Sequence, residues 1–329
     1  MNLIWGSEAM KSTRRLVSVI ILYYNQPEYI FNAIDSVLEQ DYPAIELIIA
    51  NDKSKEFDEA RIIAYINDRK AKNLVQAKVI THKENYGTVK NINVSIEAAD
   101  GEYIKIFGAD DVLADRKVIS EQVAYLTRCS HLAVTGKLMQ CDENLQPIHD
   151  RSVEKNNEML PTILKMNSKA RERYVYRHNL FPYITQALLF CKTFFDIVGK
   201  YDENYRLVED TPMMWKILDA NIDVGFLNIY TIKHRNNTGV TAKSVSIMSS
   251  QYCNDCIMLL NTKKRRVNNL FVKFDCYGQQ KLFAMRNELA NARSKKEKIR
   301  TYSKNLFYLV SFVIFHPTRT ISMVRGLLR

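Results

Sequence analysis

The sequence predicts an α/β fold, a mostly parallel β-sheet flanked by helices and followed by a C-terminal helical appendage. Three observations carry that expectation. Runs of β-branched and apolar residues, such as Val17, Val19, Ile20 and Ile21, lack polar alternation, as strands buried on both faces require. Segments of helical period separate those runs, the alternation that a parallel sheet with crossover helices produces. The early strands also end in polar clusters, and open α/β sheets bind ligands at the carboxyl ends of their strands.

Taken in order, residues 16–23 form the first strand, broken by Tyr24-Asn25-Gln26-Pro27, with Pro27 placed for the first turn of a helix. Tyr29, Ile30, Ala33, Ile34, Val37 and Leu38 then recur at helical spacing. A second strand over 45–50 ends at Asn51-Asp52, a helix covers 57–70, and a third strand covers 77–80. After Asn85-Tyr86-Gly87 a helix runs through Val94, Ile96 and Ala99, and Asp100-Gly101 turns the chain into a strand at 102–107. That strand delivers Gly108-Ala109-Asp110-Asp111. Adjacent carboxylates repel unless a cation sits with them, and hard oxygen ligands suit Mg²⁺ or Mn²⁺. The bland alternative is a solvated turn that caps the next helix. A helix follows at 115–128, then a strand at 131–135, a polar excursion at 141–180, a strand at 186–190 and a short helix at 194–198. Glu209-Asp210-Thr211-Pro212 opens a helix with acids in its first turn, and a last strand at 224–227 precedes His234-Arg235 and a polar segment, 236–250.

Composition bounds the function. Apolar residues at 47% and charged residues at 25% are ordinary globular values. The net charge is +11, and residues 253–329 alone carry 16 Lys/Arg against 4 Asp/Glu, so the tail holds the whole excess. Such asymmetry points to an anionic partner, a lipid surface or nucleic acid. The six cysteines show no disulfide framework and are expected to be reduced thiols, with Cys253 and Cys256 packing on a helix. Residues 1–15 lack the apolar core of a signal peptide and are read as an extension, with Met10 resembling an alternative start. No stretch reaches the roughly 20 apolar residues that span a bilayer. A cytoplasmic protein is expected. No G-x-G-x-x-G follows the first strand and no P-loop motif occurs, which disfavours dinucleotide dehydrogenases and P-loop NTPases.

An ordered set of pieces carries a resemblance: residues 17–25, Ser36 through Pro43, Glu46 through Asp52, Asn85-Tyr86-Gly87, Lys90-Asn91, Gly101 through Ile104, and Ala109-Asp110-Asp111. Together they resemble a family 2 glycosyltransferase of the GT-A fold, over roughly 16–115 and more loosely to about 240. The resemblance implies an inverting transferase that uses a nucleotide-diphospho-sugar, expected to be a UDP-sugar, and a divalent cation, Mg²⁺ or Mn²⁺. It implies that Tyr23, Asn25 and Asp52 line the nucleoside pocket and that Lys90, where that family usually has Arg, meets the diphosphate or base. It implies Asp110 as metal ligand, Asp111 behind it as a sugar contact or support, and Asp210 as general base with Glu209 orienting acceptor or base. His234 and Arg235 fall where a basic group stands near the diphosphate. Two departures stand out: Gly108 replaces the usual first acid of D-x-D, and Asn51-Asp52-Lys53-Ser54 replaces D-D-G-S. The first leaves one carboxylate ligand, which keeps an inactive glycosyltransferase-like scaffold open as an alternative.

Direct displacement needs one carboxylate for a cation that neutralises the departing diphosphate and another to take the acceptor proton. Asp110 and Asp210 supply that minimum. A sugar nucleotidyltransferase, the rival enzyme class, calls for a glycine- and base-rich loop after the first strand, which residues 23–27 are not. A nucleic-acid-binding protein would use the basic tail but leaves Asp110 and Asp210 unexplained, so no nucleic acid is expected. The expected organisation is an extension (1–15), a glycosyltransferase domain (16–250) and a basic helical region (251–329). In the last, the apolar run 306–315 suits an interfacial helix on an anionic membrane, placing the enzyme peripherally on the cytoplasmic face with a saccharide or lipid-linked saccharide acceptor.

Overall fold

A computed structural model describes residues 2–3, 15–69, 71–178, 180, 182–236 and 250–315. The alternative start at Met10, most of the 236–250 segment and the arginines beyond 315 lie outside the described residues. The chain divides into two compact units, 1–242 and 243–329.

The first unit is a nine-stranded mixed sheet between helices. Its strands are β1 (Asn2–Leu3), β2 (Val17–Tyr23), β3 (Ile45–Asn51), β4 (Leu74–Thr81), β5 (Tyr103–Gly108), β6 (Val112–Leu113), β7 (Ala133–Cys141), β8 (Leu189–Cys191) and β9 (Gly225–Arg235), in the order β1-β4-β3-β2-β5-β8-β7-β9-β6. Its helices are α1 (Ile30–Leu38), α2 (Glu59–Arg69), α3 (Thr88–Ala98), α4 (Val118–Arg128), α5 (Arg151–Leu164), α6 (Ser168–His178), α7 (Phe194–Ile197) and α8 (Asp210–Asp219). β4, β3, β2 and β5 are mutually parallel, and every residue of β3 is buried, hence its unbroken apolar run. β8 then pairs antiparallel with both β5 and β7. Two reversals restore direction, so β7 and its parallel neighbour β9 run the same way as β5. The carboxyl ends of β2, β3, β4, β5, β7 and β9 therefore share one edge.

The expected elements are present, with two revisions. The 141–180 excursion is helical, forming α5 and α6. Asp150 caps α5 by accepting from the amides of Ser152 and Val153 at 2.8 and 3.2 Å. The helical period of this excursion is faint because Asn156, Asn157 and Arg171 share the inward positions with Leu160, Ile163 and Val175. Asn157 bonds the backbone of Leu138 in both directions, and buried Arg171 donates to the carbonyls of Ile163, Leu164 and Met166. The last strand extends to Arg235 instead of stopping at 227; beyond Leu227 polar residues interrupt the apolar ones, and the buried positions include Thr231 and Arg235, so no apolar run announces it.

At the amino edge lies a closed polar network. Glu46, fully buried, accepts from Ser18, from Gln76 at 2.8 Å and from the Asp100 amide at 2.8 Å, and pairs with Lys78 at 2.5 Å. Lys78 also meets Asp100 at 2.6 Å and the Ala98 carbonyl at 2.9 Å. Gly101 is required here, since a Cβ would lie 2.5 Å from the Ser18 amide nitrogen. Mid-strand, Lys105 is fully buried with no hydrogen-bond partner for its Nζ, and burial pushes its ammonium down to about 7.

Among the described residues the second unit shows the helices α9 (Ser250–Arg266), α10 (Leu270–Asn291) and α11 (Lys295–Phe315). Cys253, Cys256, Leu260, Cys276, Leu282 and Met285 form its interior. Burial raises the thiols, Cys256 to about 11, as inert packing residues should be. Among the described residues no helix is long and apolar enough to cross a membrane.

Candidate active site

The carboxyl edge of the sheet collects the acids. β5 ends at Gly108 and the turn delivers Asp110 and Asp111, 6% and 1% exposed. β9 reaches the same edge with His234 and Arg235. His234 Nδ1 lies 2.9 Å from Asp111 Oδ1, which also accepts from the Arg235 amide at 3.3 Å. The charge of Asp111 first, its hydrogen bond and then Asp110 and Asp210 raise the imidazole to about 9 against the opposing effect of burial, so His234 is a cation at neutral pH.

Asp210 arrives from elsewhere in the sequence. It opens α8, and its Oδ1 accepts from the Thr185 amide at 2.8 Å and the Thr185 hydroxyl at 2.6 Å. Thr185 lies in the 3₁₀ turn Thr185–Ala187 that leads into β8. Because β8 runs antiparallel to β5, its start lies at the carboxyl edge, and Asp210 joins the edge there. Tyr201 Oη lies 3.1 Å from Thr185 Oγ1 and extends the network. Burial raises Asp210 above the usual carboxylate range, while Thr185 and the His234 cation oppose the rise. Glu209 is pushed up further, by burial and then by the charge of Asp210. The environment separates the two acids, and Asp210 is the one that keeps its charge more readily.

Arg235 is spent on structure. Its Nη1 donates to the Asp110 carbonyl at 2.5 Å, its Nη2 to Asn32 Oδ1 at 3.0 Å and its Nε to the Glu143 carbonyl at 2.9 Å, while the guanidinium lies 4.6 Å from the Tyr29 ring centre. It pins the Asp110 turn to α1 and to the end of β7.

On the β2–β3 side, Asp52 accepts from the amides of Tyr86 and Gly87 at 2.6 and 2.8 Å, one on each oxygen. It thereby fixes the turn that opens α3. Gly87, at φ 80°, is required there. Asn25, at φ 51°, donates its backbone amide to Ser54 Oγ at 3.0 Å, and its Oδ1 accepts from the Lys55 amide at 2.9 Å, tying the loop after β3 to the end of β2. Tyr23 is buried against the Phe57 ring at 5.3 Å. Lys90, exposed in the first turn of α3, sits 3.9 Å over the Tyr86 ring. Lys53, where the D-D-G-S pattern has glycine, takes φ 59°, which shows why glycine is usual there.

Two groups of the site carry no sequence signal: Thr185, in a stretch without periodicity, and Tyr201, in a loop. Thr185 reaches Asp210 directly, and Tyr201 reaches it through Thr185.

The residues fit a divalent cation in one specific way. A Cβ on Gly108 would lie 2.7 Å from Asp110 Oδ1, so the Asp110 carboxylate folds over the position where a first acid would project. Asp111 is taken by His234 and the Arg235 amide. Among the described residues no cluster of three ligating side chains exists. A single carboxylate, Asp110, can serve there, since Mg²⁺ is commonly bound by one or two carboxylates together with substrate phosphates.

The comparisons agree with this architecture. The sequence profile of Glycosyl transferase family 2 matches residues 18–196, and the chain belongs to that family. An uncharacterized glycosyltransferase of Rickettsia typhi is 26% identical over 242 residues, 72% of this chain and 69% of the relative. The UDP-Glc:alpha-D-GlcNAc-diphosphoundecaprenol beta-1,3-glucosyltransferase WfaP of Escherichia coli is 34% identical over 113 residues, 34% of this chain and 41% of that protein. An uncharacterized glycosyltransferase of Haemophilus influenzae is 30% identical over 127 residues, so that match spans only 37% of the relative's length. Among solved structures, S. aureus TarS 1–349 in complex with UDP-GlcNAc superposes with TM-score 0.55 at 16% identity, covering 89% of this chain and 81% of that one. The mannosyltransferase PcManGT of Pyrobaculum calidifontis, solved with GDP-Man and Mn²⁺, superposes with TM-score 0.56 at 14% identity, covering 96% and 85%. The protein is a glycosyltransferase with the GT-A architecture.

Proposed function

We propose that this glycosyltransferase inverts the anomeric centre as it moves a sugar from a UDP-sugar to a hydroxyl of a lipid-linked or growing surface polysaccharide, at the cytoplasmic face of the membrane. The observation that carries the proposal is the clamp on Asp210. Both hydrogen bonds from Thr185 fall on Oδ1, which orients the carboxylate and leaves Oδ2 to meet an acceptor. His234 lies within electrostatic reach of Asp210, Asp110 and Asp111 together.

The chemistry follows from that arrangement. Asp210 Oδ2 takes the acceptor proton as the acceptor oxygen attacks the anomeric carbon, and the bond from that carbon to the diphosphate oxygen breaks on the opposite face. A single displacement of this kind inverts configuration. Glu209, its charge disfavoured beside Asp210, orients the acceptor. The protonated His234, held by Asp111, presents positive charge to the departing diphosphate. Asp110 would hold a divalent cation, Mg²⁺ or Mn²⁺, which supplies further neutralisation of the leaving group when bound. On the nucleoside side, Asp52, Asn25 and Tyr23 shape the pocket by fixing its loops, and Lys90 over Tyr86 offers a cationic edge to base or diphosphate. Arg235 contributes by holding the Asp110 turn in place.

Support for a UDP donor and a lipid-linked acceptor comes from the substrates in the name of the E. coli relative, and the TarS complex holds UDP-GlcNAc. The test is transfer from a panel of UDP-sugars to a synthetic prenyl-diphosphate sugar, with the product anomer read by NMR. An α-linked donor should give a β-linked product. Retention would refute the single displacement, and no transfer with any donor, UDP- or GDP-linked, would favour an inactive scaffold, the reading that Gly108 keeps open.

A further inference from the structure

The last helix is amphipathic in the wrong sense for a water-soluble bundle. In α11 the described side chains that are buried are Thr301, Asn305 and Ser311, all polar, at 9%, 5% and 9% exposure. They satisfy themselves on their own helix: Asn305 donates to the Thr301 carbonyl at 2.9 Å and Ser311 to the Tyr308 carbonyl at 2.9 Å. Facing outward at helical spacing are Ile299, Tyr302, Leu306, Val310 and Ile314, each at least half exposed. Small groups meet where α11 approaches α10, since a Cβ on Gly278 would lie 3.6 Å from Ser311 Oγ. Polar and small residues inward with apolar residues outward is the pattern of helices solvated by lipid.

α10 continues the same face. Leu270 and Phe271 in its first turn are 79% and 76% exposed. Phe274 meets Phe307, and Tyr277 meets Tyr308, in edge-on contacts at 6.4 and 5.8 Å, which join the two helices' outer stripes into one surface. Basic residues border that surface at both ends. Lys263-Lys264-Arg265-Arg266 closes α9 just before Leu270, and Lys295, Lys296, Lys298 and Arg300 open α11. Neither helix is long and apolar enough to span a bilayer.

We infer that the outer face of α10 and α11 is a docking surface for an anionic lipid bilayer, lying in the headgroup region with Leu270, Phe271, Leu306, Val310 and Ile314 in the acyl boundary and the flanking lysines and arginines on the headgroups. Charge complementarity selects the occupant: an apolar surface bracketed by two cationic clusters matches an interface whose core is hydrocarbon and whose rim is negative. The inference deepens the reading above by naming the surface that brings the enzyme to a lipid-linked acceptor, and its test does not depend on transfer activity.

The test uses the full chain and two vesicle preparations, phosphatidylcholine alone and phosphatidylcholine with 30 mole per cent phosphatidylglycerol, in co-sedimentation at about 0.1 M salt. The wild type should bind the anionic vesicles at least tenfold more tightly than the neutral ones. The variant Leu306→Ser/Val310→Ser/Ile314→Ser changes only exposed positions and should retain the wild-type circular dichroism while losing at least tenfold in binding. Separate replacement of Lys263, Lys264, Arg265 and Arg266 by Gln should abolish the preference for anionic over neutral lipid. Transfer to a water-soluble acceptor should be unchanged in both variants, which separates failure of docking from failure of the transferase assignment. The inference is overturned if the wild type binds neither vesicle, if the serine variant binds as the wild type does, or if the wild type is a dimer that the serine variant converts to a monomer without any vesicle binding. That last result would make the face an interface between copies of this chain.

Discussion

The two edges of the central sheet both concentrate carboxylates, and they treat them in opposite ways. At the amino edge Glu46 is fully buried yet has a cation at 2.5 Å and donors on both oxygens from Ser18, Gln76 and the Asp100 amide. At the carboxyl edge Asp111 meets His234 at 2.9 Å, and that imidazole, raised to about 9, also lies within electrostatic reach of Asp110 and Asp210, while Arg235 is committed to carbonyls and Asn32. The first network is closed: every charge finds its partner inside the chain. At the second, burial drives Glu209 and Asp210, at the start of α8, toward their neutral forms, and the charge of Asp210 drives Glu209 further. Under the proposed function, the first set serves the fold alone and the second, with its protonation shifted by burial, serves the chemistry.

The sharpest way to break this contrast is to remove one carboxylate from each edge. Asp210→Asn should lower transfer by about 10²–10⁴-fold, the usual reach of a general base, while the melting temperature stays level or rises, because a like-charge repulsion with Glu209 disappears. Steady-state kinetics and calorimetry check both halves. Glu46→Gln should do the reverse, costing about 3 kcal/mol of stability by leaving Lys78 short of a partner, with specific activity of the folded fraction unchanged in denaturant and activity assays.

Lys105 sharpens the comparison from the middle of the sheet, where neither edge can satisfy it. Replacing it by Met should stabilise the protein by about 1–4 kcal/mol, the range seen when buried ionic groups give way to apolar ones. The sign of the pH dependence is fixed. The native chain releases the Lys105 proton near 7 and the unfolded chain near 10.5, so the unfolded state binds more protons across that window and the wild type gains stability as pH rises through it. The advantage of Lys105→Met is therefore greatest at pH 7 and below and fades toward pH 10.5, as urea denaturation across that range will show. The smallest effect belongs to the β3 loop. Lys53→Gly relieves a left-handed lysine at φ 59° and should add about 1 kcal/mol, with little effect on transfer.

Much of the fold was legible because its central strands are buried on both faces. Val17 through Leu22 and Ile45 through Ala50 announce themselves by composition, and Asp110 and Asp111 follow from where β5 stops. Legibility failed where inward positions are polar. Asn157 and Arg171 are buried through hydrogen bonds to backbone, Asn156 is buried beside them, and apolar periodicity marks such a face only faintly. β9 was cut short for the same reason, although its far end carries His234. The base assignment rested on an acid pair at a helix start, but what orients Asp210 is Thr185, a residue 25 positions earlier with no pattern around it. The Asp52 carboxylate, expected to line the nucleoside pocket, also holds the Tyr86–Gly87 turn. For Asn157, Arg171, Asp210 and Asp52 the missing information was which backbone group the side chain would reach, a property of tertiary placement and not of local sequence.

The central claim is that the carboxyl edge divides its labour between Asp110, which grips the donor, and Asp210, which deprotonates the acceptor. Calorimetric titration of UDP-sugar in the presence of Mn²⁺ into Asp110→Asn and Asp210→Asn, side by side with the wild type, tests it directly. The account predicts that Asp110→Asn loses cation-dependent donor binding while Asp210→Asn binds the donor as the wild type does and fails to transfer it. Equal donor binding by Asp110→Asn and wild type, or loss of donor binding by Asp210→Asn, would contradict it.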